Sequence, residues 1–177
     1  MPHAPKGSGL KKPSASPVRR GKGFPRKEAL LYRTPRGAAW ILLNRIEAEG
    51  LLLDAALDRF FETSPPWDRR DLNLIHALVF GVERRRATLD HVIGQLSTIP
   101  LSKIDPAVQN ILRIGLSQLL YMDRIPDSAA VNTAVDITKT FAPRWIAGFV
   151  NGLLRAAVRS RGALSFPDIR TDPVEGL

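Results

Sequence analysis

From Thr34 onward, apolar residues recur at helical spacing, and the breaks between the repeats fall at residues that stop helices. Thr34-Pro35 supplies a capping hydroxyl followed by proline at the first helical position. Ala39, Leu42, Leu43 and Ile46 then repeat at i, i+3, i+4 and i+7 until Gly50 ends the segment. A second helix is predicted over about 51–61, with Leu52, Ala56 and Phe60 at fourfold spacing, and Ser64-Pro65-Pro66 forbids its continuation. The third runs from about Trp67 to Arg85 and turns Leu72, Ile75, Val79 and Val82 inward. A fourth, near 88–97, uses Leu89, Val92, Ile93 and Leu96 and closes at Pro100. Asp105-Pro106 opens the fifth, whose Val108, Ile111, Leu112, Gly115, Leu116 and Leu119 form one continuous stripe. Pro126-Asp127 begins a sixth over about 126–140, and Pro143 separates a seventh over about 144–160, which packs Phe149, Val150, Leu153, Ala156 and Ala157. Few segments alternate with period two and no repeat of fixed length is visible. The expectation is an all-α bundle of about seven short helices, with Gly81, Gly115, Gly148 and Gly152 on inner faces where helices approach closely.

Charge divides the chain differently. Ten of the 26 Lys and Arg, but one of the 17 Asp and Glu, lie in residues 1–36. That stretch therefore carries the whole excess of +9, and the remainder is neutral. Residues 1–25 add five Pro and four Gly, with Leu10, Val18 and Phe24 as the only larger apolar side chains. Residues 1–34 thus read as a disordered basic arm, 35–162 as a helical domain and 163–177 as a tail or linker. No stretch has the apolar core of a signal peptide. A transit peptide is the rival reading of the arm, though its Pro and Gly spacing would break an amphipathic helix. The longest apolar run, from Ala38, stops at Asn44, far short of the roughly 20 residues that span a bilayer.

Covalent chemistry has few candidates. The absence of cysteine excludes disulfides, thiolate metal sites and thiol nucleophiles. His3, His76 and His91 share no metal-ligand spacing, and Asp90 and His91, adjacent on a helix, point in different directions. No glycine-rich phosphate loop follows a strand. The expectation is a non-enzyme with no metal and no cofactor.

The bases are the remaining candidates. A block of this kind attracts polyanions, nucleic acid being the commonest, and Arg19, Arg20, Lys22, Arg26 and Lys27 of the arm are its strongest members. Arg84-Arg85-Arg86 ends the third helix; a helix C-terminus favours one cation, but three are less easily explained that way. Arg124, Lys139 and Arg155 are scattered candidates on the helical part, beside Arg144 and Arg159. Trp40, Trp67 and Trp145 sit beside apolar faces and read as core. Trp145, next to Arg144 at a helix start, is the one to examine as a stacking platform for unpaired bases.

Three segments resemble a known superfamily. Pro100-Leu101-Ser102-Lys103-Ile104-Asp105-Pro106-Ala107-Val108-Gln109-Asn110-Ile111-Leu112-Arg113-Ile114-Gly115 is similar to the central helix of the NusB/RsmB superfamily. So is Asp123-Arg124-Ile125-Pro126-Asp127-Ser128-Ala129-Ala130-Val131-Asn132-Thr133-Ala134-Val135-Asp136, and Gly148-Phe149-Val150-Asn151-Gly152-Leu153-Leu154-Arg155 resembles the family's last helix. The likeness covers about Pro35 to Arg159 and implies an all-α, cytoplasmic RNA-binding domain. It implies one of two roles. One is that of the stand-alone NusB antitermination factor, which binds leader RNA together with the ribosomal protein NusE. The other is that of the N-terminal domain of RsmB, which methylates cytosine C5 of small-subunit ribosomal RNA with S-adenosylmethionine. The start Pro35-Arg36-Gly37-Ala38-Ala39-Trp40 lacks the arginine cluster usual in NusB, and Leu120-Tyr121-Met122-Asp123-Arg124-Ile125-Pro126 reads as RsmB-like. The closing Phe166-Pro167-Asp168 and Asp172-Pro173-Val174-Glu175 resemble the linker into RsmB's catalytic half, whose cysteines and cofactor-binding sheet this chain lacks. By resemblance, Arg36 is transferred as an RNA contact. The implied partners are ribosomal or leader RNA, a methyltransferase domain in cis or in trans, and a NusE-like protein, with no membrane. A pure interaction domain whose arm serves solubility ranks third.

Overall fold

The computed structural model of the chain describes residues 31–64 and 66–166. From Pro35 onward these residues form seven α-helices: α1 (Pro35–Glu49), α2 (Leu53–Thr63), α3 (Arg69–Arg84), α4 (Arg86–Leu96), α5 (Pro106–Tyr121), α6 (Asp127–Phe141) and α7 (Arg144–Ser160). Short 3-10 turns at Leu101–Lys103 and Arg161–Ala163 complete the order, and no strand occurs among the described residues. All seven expected helices are present, displaced by a residue or two at some ends. The arm to residue 30 and the tail from residue 167 lie outside the described residues.

The starts and stops follow the side chains. The Thr34 hydroxyl accepts from Gly37 N–H at 3.2 Å to cap α1, and Gly50 ends it in the left-handed region at φ 61°. Asp68 caps α3 by accepting from Asp71 N–H, and Asp105 caps α5 by accepting from Ala107 N–H, both at 2.8 Å. α2 departs from expectation at its start. Leu52 is its N-cap, in extended conformation, so its side chain leaves the i, i+4 stripe and is 81% exposed; Ala56, Leu57 and Phe60 are the residues buried there.

α5 is the axis of the bundle, packed by α1, α3, α4, α6 and α7. The expected single stripe on it is too narrow, because every residue from Asn110 to Leu119 is buried, as for a helix surrounded on all sides. Gly115 permits the closest approach: a Cβ there would lie 2.7 Å from Leu154 Cδ1 of α7. Gly148 and Gly152, expected on an inner face, open instead to free space. Trp40 joins three helices, donating from Nε1 to the Ala107 carbonyl at 2.9 Å and stacking on Phe141 at 4.6 Å.

Asn110, Arg113 and Gln118, polar residues buried on α5, find their partners within the bundle. Arg113 donates from Nε and Nη2 to the two carboxylate oxygens of Asp90 at 2.7 and 2.9 Å, from Nη1 to Asn110 at 2.8 Å and from Nη2 to Gln109 at 3.0 Å. Asn110 in turn donates to Asn44 and Glu47 of α1, so one network ties α1, α4 and α5 together. A bidentate arginine in such a site fixes register as well as adding energy.

Candidate nucleic-acid interface

Three helix starts meet at one end of the bundle. Pro35 and Arg36 of α1, Asp68, Arg70, Asp71 and Leu74 around the start of α3, and Arg124, Ile125 and Pro126 before α6 enclose a cleft of about 610 Å³. The first-turn N–H groups of these helices have no partners inside their own helices, and their dipoles add positive potential at the same end. Arg36, Arg70 and Arg124 make no ion pair among the described residues. Of the two carboxylates present, Asp68 is engaged as the α3 cap.

Arg36 is the ordered member. Its Nε donates to Gln118 Oε1 at 2.6 Å, while Gln118, 1% exposed, is held by its own donation to the Ile114 carbonyl at 3.0 Å. A buried amide of the central helix thus aims a half-buried guanidinium, leaving its terminal nitrogens for an anion. Burial lowers the Arg36 pKa, but a guanidinium stays charged throughout the neutral range.

The chain enters the bundle beside this cleft. Leu31 is buried, and its carbonyl accepts from Thr34 N–H at 3.3 Å, just ahead of Pro35 and Arg36. Arg19, Arg20, Lys22, Arg26 and Lys27 lie outside the described residues, but their tether is fixed here. At about 3.5 Å per extended residue, Lys27 reaches within roughly 14 Å of Leu31 and Arg19 within roughly 42 Å.

The remaining predicted bases divide. Arg84-Arg85-Arg86 is the joint between α3 and α4, with Arg85 closing one helix and opening the next, and not the free end of a helix. Arg84 is exposed and makes no ion pair among the described residues. Arg85 lies over the Tyr121 ring at 4.3 Å, and Arg86 Nη2 stands 3.2 Å from Glu47 Oε2 without hydrogen-bond geometry. Burial raises the Tyr121 pKa, an effect the Arg85 charge opposes. Lys139 pairs with Asp136 at 3.2 Å and Arg155 donates to Asn151 at 3.0 Å, both on the outer faces of α6 and α7 and neither lining the cleft. Trp40 is core and Trp67 half-buried, whereas Trp145 is 68% exposed beside a shallow apolar groove of about 170 Å³ with Ile99, Ile104, Val108 and Phe149. No group of His, Asp and Glu able to hold a metal occurs among the described residues.

Arg70 was missed by pattern reading, yet a local signal marks it. A cation in the first turn of a helix opposes the dipole, and both Arg69-Arg70 in α3 and Arg36 in α1 sit there. In α1 no acid of the first turn offsets Arg36, whereas in α3 Asp68 and Asp71 share the first turn with Arg69 and Arg70.

The family model described as the NusB family matches residues 33–159. A probable ribosomal RNA small subunit methyltransferase B of Synechocystis sp. is 40% identical over 127 residues, 71% of this chain and 28% of that protein. Its counterpart in Bacillus subtilis is 38% identical over 59% of this chain and 23% of its own length, so the chain spans less than a third of these methyltransferases. The transcription antitermination protein NusB of Ruminiclostridium cellulolyticum is 35% identical over 69% of this chain and 84% of its own length. Among solved structures, antitermination factors NusB and NusE in complex with double-stranded RNA superpose with a TM-score of 0.66 at 22% identity, over 73% of this chain and 97% of theirs. No described helix is long and apolar enough to cross a membrane.

Proposed function

The chain belongs to the NusB family, and from that premise we propose that it is an RNA-docking module that holds small-subunit ribosomal RNA for a cytosine-C5 methyltransferase half. One observation carries the reading: Arg36, Arg70 and Arg124 stand in one cleft without ion-pair partners among the described residues, at the root of an arm that bears the chain's excess charge. Guanidinium groups not engaged in ion pairs bind phosphate oxygens, and such contacts position a strand without reading its sequence. The identity with methyltransferase B proteins supports the ribosomal target. In this reading the chain makes no covalent bond itself, and the methylating half acts from elsewhere.

A second reading is favoured by the likeness to NusB proteins along most of their own length. The chain covers 75% and 84% of two NusB proteins, as expected of an antitermination factor that acts on leader RNA with a NusE-like partner. Two measurements separate these functions. About five phosphate contacts from the arm predict that log K falls with log salt at a slope near −3.5 on single strands, and removing residues 1–30, which spares the buried Leu31, should flatten it. An unchanged slope discards the arm as a binding element. Faster methylation of ribosomal RNA by a separately supplied methyltransferase half supports docking. A NusE-dependent complex on leader RNA, with no such acceleration, supports antitermination instead.

A further inference from the structure

One stripe of α3 leads away from the cleft. Arg70, Asn73, Ala77, Phe80 and Arg84 follow at i, i+3, i+7, i+10 and i+14, which is a single face of a helix, and all five are exposed. The stripe starts in the cleft at Arg70 and ends at Arg84, about 21 Å farther along the axis at roughly 1.5 Å per residue. It carries no acid, and neither terminal arginine makes an ion pair among the described residues.

Phe80, 45% exposed, stands between them. Its ring is the outer member of a stack of three: Phe61 lies against His76 at 5.6 Å and 19°, and His76 against Phe80 at 6.0 Å and 14°. The His76 ring runs nearly parallel to that of Phe80 and offset from it, and almost half of the Phe80 surface stays open. A lone exposed phenylalanine is ordinary. This one stands at the end of a row of three nearly parallel rings, one turn from Arg84, which makes no ion pair among the described residues. A flat apolar face beside an unpaired cation fits a base and its phosphate, whereas an apolar protein helix would leave both arginines without acceptors.

We propose that this stripe carries an unpaired stretch of the RNA that enters the cleft, with phosphates at Arg70 and Arg84 and one base stacked on Phe80. The assignment rests on the RNA-docking reading and adds a selectivity to it. A base inside a duplex already has both faces covered, so Phe80 discriminates single-stranded from paired RNA while tolerating any base. Asn73 presents an amide to the edge of a neighbouring base, and Ala77 leaves room for it.

The test uses the full chain and an RNA oligonucleotide containing a fluorescent purine, unpaired or annealed to its complement. Phe80→Ala is expected to weaken binding of the unpaired RNA by about tenfold and to abolish the quenching that stacking produces, with duplex binding unchanged. Phe80→Trp should restore both. Arg84→Ala should make the salt slope shallower by about 0.7 and leave the quenching intact. Wild-type binding and quenching by the Phe80→Ala protein overturn the path. Equal weakening for both RNAs overturns it too, because that is the result of a purely structural role. In either case, an Arg36→Ala/Arg124→Ala variant that still binds poorly leaves the cleft reading standing. If that variant binds both RNAs as tightly as the wild type, the cleft reading falls, and the path that rests on it falls as well.

Discussion

Arg113 and Arg36 are the same residue type in opposite settings. Arg113, its side chain 4% exposed, makes four hydrogen bonds, two of them to the carboxylate of Asp90. Arg36 has one neutral amide at its Nε, and neither it nor Arg70 and Arg124 beside it makes an ion pair among the described residues. A charge enclosed by its own network is neutralised and serves the fold. A charge held in place but not neutralised keeps its field for something that is not part of the chain. The contrast teaches that counting bases along the sequence overstates the interface, and that the partner of each base decides its role.

Four variants break or sharpen this contrast. The largest effect is expected from Arg113→Met. Breaking a buried, bidentate pair costs about 3 to 5 kcal/mol, and the partial exposure of Asp90 and Glu47 favours the lower end of that range. Thermal unfolding should fall by roughly 6 to 12 °C, and an unchanged midpoint would remove the distinction. The triple variant Arg36→Ala/Arg70→Ala/Arg124→Ala should keep its unfolding midpoint within a few degrees, lose about tenfold or more in RNA affinity, and shed about 2 from the salt slope. Gln118→Leu sharpens the comparison, because it leaves Arg36 charged but no longer aimed. RNA affinity should drop about threefold with an unchanged salt slope, measured by titration at several ionic strengths. Arg59→Ala, which breaks the exposed pair with Glu49 at 3.4 Å, should shift stability by less than about 0.5 kcal/mol and leave RNA binding alone. A larger change would show that exposed pairs matter here.

The helices were legible because their punctuation is local. Thr34-Pro35, Gly50 and Asp105-Pro106 each act within one turn, and the structure places them where their chemistry requires. What escaped depended on long-range company. Nothing along the chain shows that Asn110, Arg113 and Gln118 would be buried, since their partners Asn44, Asp90 and Arg36 are 66, 23 and 82 residues away. Arg36 and Arg124 were both named as candidates, but only folding brings them to one cleft with Arg70. The arginine run 84–86 was read as one feature, whereas Tyr121 and Glu47 divide it into three different environments. Trp145 was expected in the core by its neighbours in sequence and stands outside it.

The burial of Leu31 has a kinetic consequence. In the proposed reading, a strand caught at Arg26 or Lys27, close in sequence to Leu31, meets the cleft as an intramolecular step. For short tethers such confinement corresponds to effective concentrations of about a millimolar. On that reading, weak individual contacts add up to slow release, and a strand that lets go of the cleft is recaptured before it diffuses away.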